Sequence, residues 1–145
     1  TVGTASINFA TIVNDEMRTI NVHGIRYKGR IRADNVSADN EAHGMVGIYV
    51  KPSPNYTDLT AGDFDTPSEL NENSQILIAI EPWSVFGGSS NPTGGNTFID
   101  FEFVLKTSRN LGNGAELRGF VTNDNGSAKS VIIPYAVLSC FQTVK

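Results

Sequence analysis

Short apolar runs alternate with polar stretches rich in glycine and asparagine along the whole chain, and most runs repeat with a period of two. That period marks half-buried β-strands, because successive side chains of a strand point to opposite faces. The first run is Ser6 to Val13, with Ile7, Phe9, Thr11 and Val13 on one face and Asn14-Asp15 as the closing turn. The second, Arg18 to Ala33, is long. Ile20 and Val22 alternate, then Gly24 shifts the phase and Ile25, Tyr27 and Ile31 take over the buried face. A glycine inside a strand often marks a bulge that resets which residues face inward.

The third run is Gly44 to Val50, stopped by Lys51-Pro52-Ser53-Pro54. Asn55 to Asn73 lacks a strand pattern, and Thr66 to Leu70 there reads as one capped helical turn. The fourth run, Gln75 to Ile80, is almost continuously apolar and predicts a mid-sheet strand ending at Glu81-Pro82; Gly87 to Asn96 is a loop. In the fifth, Thr97 to Lys106, Ile99, Phe101, Phe103 and Leu105 form the core face. Phe98, Asp100, Glu102 and Val104 form the other. Glu116 to Asn123 is the sixth strand. Ser130 to Val144 is long enough for two strands or for one bent at Pro134. The pattern predicts seven or eight antiparallel strands in one domain spanning residues 1–145, an all-β sandwich or barrel.

Composition agrees. The 145 residues are 39% apolar and 18% charged, enough for one core. The chain starts at Thr1 without a methionine, as expected of a processed chain or a piece of a longer one. No apolar run nears the roughly 18 residues of a membrane helix, so no membrane partner is expected. A net charge of −4 argues against nucleic-acid binding over the whole surface.

Candidate chemistry is sparse. His23 and His43 fall in no ligand-spaced motif, and the lone Cys140 reads as a core residue. Asp100 and Glu102 form a same-face carboxylate pair of the kind glycosidases use, though such pairs also arise on solvated strand faces. No catalytic set and no cofactor motif emerge, so the chain reads as a non-enzyme.

One feature stands above chance. Arg26, Lys28, Arg30 and Arg32 place four of the eleven cations at alternate positions. On a strand they share one face at about 6.5–7 Å intervals, a cationic rail roughly 20 Å long. Bare like charges at this spacing repel, so a neutralising partner is expected. The alternatives are nearby acids (Asp34, Asp39, Glu41), a neighbouring subunit, nucleic-acid phosphates or plain solvation. Apparent loops also carry Tyr56, Leu59, Phe64, Trp83, Val85 and Phe86. Of these, Tyr56, Phe64, Trp83 and Phe86 are candidate interface residues, with burial in the core as the competing reading.

Three stretches carry a resemblance. They are Ile25-Arg26-Tyr27-Lys28-Gly29-Arg30-Ile31-Arg32 followed by Met45 to Pro52; Phe101 to Leu111 followed by Gly114-Ala115-Glu116-Leu117; and the closing Tyr135 to Gln142. In order and spacing they resemble the single jelly-roll capsid proteins of small icosahedral viruses, such as circular single-stranded DNA viruses and plant satellite viruses. The resemblance implies a two-sheet jelly roll of about eight strands. It also implies self-assembly with copies of itself into a closed shell around a genome, a location in the virion and viral nucleic acid as a further partner. The Arg-rich arm usual in that family does not occur within these 145 residues. The competing function is a carbohydrate-binding or adhesin-like β-sandwich module, with Trp83, Tyr56 and Tyr49 stacking on sugars.

Overall fold

The alternating runs become strands. The computed structural model describes residues 6–34, 41–60, 76–86, 98–123 and 130–144. Among them are β1 (Ser6–Val13), β2 (Ile20–Asp34), β3 (Glu41–Lys51), β4 (Ile76–Phe86), β5 (Phe98–Leu111), β6 (Glu116–Asn123) and β7 (Ser130–Val144), with no helix. One sheet has the order β1-β6-β3-β4 and the other β5-β2-β7, all pairs antiparallel. The chain is an all-β antiparallel sandwich of two sheets, with seven strands among the described residues.

The pairs β3·β4, β2·β5 and β1·β6 are nested in sequence. One long hairpin whose legs wind together around a core leaves this nesting, and that is the winding of a jelly roll. β7 then adds beside β2.

β2 shows how local sequence sets the layers. Its register shifts between Val22 and Gly24 against both neighbours: against β7, His23 is the extra residue and bulges from β2, whereas against β5 the extra residue lies on β5. The bulge reverses the parity of the inward positions, so Ile20 and Val22 before it, and Ile25, Tyr27 and Ile31 after it, are all buried. Facing them are Val46, Ile48, Leu117, Val121 and Trp83. Each fully buried aliphatic side chain contributes about 1.5–3 kcal/mol. The Tyr27 ring crosses the sandwich onto Gly119, where a Cβ would lie 2.6 Å from its Cε1, so only glycine fits.

Two sequence expectations change, and one open alternative is decided. Among the described strands β4 lies at the edge of its sheet and not in the middle, and it continues through Glu81-Pro82 to Phe86. An edge position tolerates Pro82, which has no N–H to give to a ladder. Trp83 and Val85 therefore belong to a strand and not to a loop, and both are buried. The last run is one strand, with an irregularity where Arg30 and Arg32 meet Tyr135 and Ile132, on either side of Pro134. The helical turn expected at Thr66 to Leu70 and the loop at Gly87 to Asn96 lie outside the described residues.

The outer face of the four-stranded sheet holds a second apolar cluster of Tyr49, Phe120 and Leu59, with Ile7 and Phe9 against it. Leu59 comes from the segment after β3. An ionic network holds that segment down: Lys51 Nζ donates to Asp58 Oδ1 at 2.6 Å, and Arg118 Nη1 to the same oxygen at 3.0 Å. Arg118 also donates to Glu116 and to the Tyr49 hydroxyl.

Candidate functional site

The four cations of the rail project from the outer face of the three-stranded sheet, because the odd positions between them face the core. The register sets Lys28 opposite Glu102 and Arg30 opposite Asp100. Arg30 donates from Nε to Asp100 Oδ1 at 2.7 Å and from Nη2 to Oδ2 at 3.2 Å, a two-pronged contact. Arg26 reaches diagonally to Glu102 at 2.9 Å. The Arg30 guanidinium also lies 3.9 Å above the Phe98 ring.

Two cations of the rail are thus neutralised from the neighbouring strand of the same chain. The side chains of Asp34, Asp39 and Glu41, expected as local partners, lie outside the described ones. The acids found in their place are the pair that resembled a glycosidase site. The Arg30 hydrogen bond holds the Asp100 carboxyl below the usual carboxylate range. A general acid needs the opposite shift.

Lys28, Arg32 and Lys106 share this face with no carboxylate partner among the described residues. The Arg32 Nε is buried without a hydrogen-bond acceptor. Among the described side chains, five cations against two carboxylates give the face a net charge of +3, in a chain whose total is −4.

The same face carries Phe98, Val104, Tyr135, Val137 and Phe141, five of the eight large hydrophobic side chains exposed among the described residues. The sequence pattern had placed Phe98 and Val104 on the non-core side of their strand. The alternation of Tyr135, Val137 and Phe141 along β7 is the matching sequence signal there. A depression of about 590 Å³ lies over Gly24, lined among others by Val104 and Phe141, 68% and 78% exposed. Arg26, Lys106 and His23 also line it. His23 Nε2 lies 2.8 Å from Thr143 Oγ1.

The other candidates scatter. Tyr56 sits on a turn after β3 and is exposed. Trp83 is 3% exposed, and its Nε1–H donates to the Thr122 carbonyl at 3.0 Å, so its ring serves the core and has no surface for a subunit or a sugar. Tyr49 is fully buried as well, which removes two of the three rings considered for sugar stacking. Phe86 ends β4, its backbone opposite Glu41, with its side chain outside the described ones; Phe64 lies wholly outside them. Cys140 is half-buried on the inward side of β7, and burial pushes its thiol pKa up, away from reactivity. No cluster of three or more metal-ligating side chains occurs among the described residues.

The functional centre of gravity is therefore one sheet face that combines a half-neutralised cationic strand with exposed apolar side chains. A comparison with family models finds no match for this chain, and neither does a comparison with curated proteins.

Proposed function

We propose that this chain is a structural coat subunit that assembles with copies of itself into a closed icosahedral shell around a viral genome. The observation that carries the reading is the nested winding of β1·β6, β2·β5 and β3·β4, a self-contained sandwich from which loops and one face remain for contacts. The concentration of exposed apolar side chains on the β5-β2-β7 face supports it, since monomeric proteins rarely leave such a group uncovered.

Negative-stain microscopy and size-exclusion chromatography at neutral pH test this reading. Uniform large particles are expected; a monomer at high concentration would overturn it. Changing Arg26 and Arg30 together to Glu sets new carboxylates beside Glu102 and Asp100. That variant is expected to lose particles while keeping its far-UV signature of β-structure. Normal particles with normal nucleic-acid content would remove the rail from the mechanism.

A further inference from the structure

The outer face of β5, β2 and β7 fits a more specific partner than a general contact surface would. Its described side chains carry a net charge of +3, so two such faces repel, and a same-face pairing of copies is disfavoured. A polyanion is favoured. The cations repeat along β2 at about 6.5–7 Å, close to the phosphate spacing of an extended single strand. Three aromatic rings, Phe98, Tyr135 and Phe141, are exposed beside the rail. Unpaired bases stack on such rings with little regard for sequence, whereas a duplex hides its base faces. The depression over Gly24 is lined by Val104 and Phe141 together with Arg26 and Lys106. An exposed ring with cations alongside suits a base with its flanking phosphates.

We infer that this face binds single-stranded nucleic acid, with phosphates along Arg26, Lys28, Arg30, Arg32 and Lys106 and one base seated over Gly24 against Phe141. The inference rests on the coat-subunit reading only for the source of the strand. Asp100 and Glu102 act as a brake: each holds an arginine that would otherwise meet a phosphate.

Fluorescence anisotropy of a fluorescein-labelled oligothymidylate against the purified chain, across a salt series, tests it. With three cations free of carboxylates among the described residues, the logarithm of the binding constant should fall against log salt with a slope of about −2. Changing Asp100→Asn together with Glu102→Gln frees two more, and should tighten binding and steepen the slope to about −3.5. Phe141→Ala should weaken binding about tenfold without changing the slope. Gly24→Val should do the same by filling the depression. A Cβ at Gly24 would meet Phe141 Cδ2 at 3.4 Å, a contact that small shifts accommodate.

Absence of salt-dependent binding overturns the inference, as does a double neutral variant with unchanged affinity and slope. Tighter binding to a duplex of equal length also overturns it. A dimer dissolved by Phe141→Glu, with no oligonucleotide binding, assigns the face to a second copy instead. Particles are scored separately on the same samples. Binding without particles rejects the coat reading and keeps this one; particles without binding do the reverse.

Discussion

Asn14 is a small polar residue that the fold buries almost completely. Its Nδ2 lies within 2.8–3.0 Å of the carbonyls of Arg18, Leu111 and Gly112, and its Oδ1 accepts from the Glu16 N–H. One side chain thus ties the β1–β2 turn to the β5–β6 turn. Asn14→Ala leaves buried carbonyls unsatisfied and is expected to lower stability by about 2–3 kcal/mol, read from the urea midpoint. Tyr27 is the opposite case. Its ring packs 4.9 Å from that of Phe101, yet its hydroxyl is buried without a hydrogen-bond partner. Burial raises its pKa well above the usual tyrosine value. The unfolded chain therefore ionises first, so this residue's stability contribution is complete below pH ~10 and is lost as pH rises above it. Tyr27→Phe should be neutral or stabilising in neutral urea melts and should flatten the alkaline loss of stability. A large destabilisation would show that the hydroxyl has a partner after all.

The segment from Pro52 to Thr60 has no regular structure, yet it is held as firmly as a strand end. Lys51 and Arg118 are nearly buried, and both point at Asp58, while Leu59 inserts beside Tyr49 and Phe120. The Lys51 hydrogen bond comes first among the causes that lower the Asp58 pKa. Its contribution is therefore present above the ordinary carboxylate range and is lost as pH falls through the lowered value. Asp58→Asn leaves Arg118 with Glu116 and Lys51 with no carboxylate contact among the described residues. The expected loss is about 1–2 kcal/mol, held down by the solvent exposure of Asp58, with faster proteolysis confined to this segment. At this scale β2 was legible, because Gly24 visibly switches the parity of its apolar positions. β4 was not. A continuous apolar run reads as central, and only its actual neighbours reveal that, among the described strands, it has a partner on one side alone.

For the molecule as a whole, the nested winding makes most pairings distant in sequence. Ser6 pairs with Asn123 and Ile20 with Val144. Loop closure over such spans must precede any stabilising contact, so refolding is expected on the millisecond-to-second scale, measured by stopped-flow Trp83 fluorescence. A microsecond main phase would contradict this topology. The period-two alternation was enough for the strands, for the inward residues of β2 and β5, and for the four cations sharing one face, because side-chain direction along a strand is a local property. Register and layer order are not local. Arg30 and Asp100 lie 70 residues apart, and nothing short of the β2·β5 pairing reveals that the suspected catalytic acids are the counterions of the cationic rail. The same holds for Trp83, whose neighbours in sequence suggested a loop while its neighbours in space make it core. Local alternation determines which way a side chain points, and the winding of the sheets decides what it meets there.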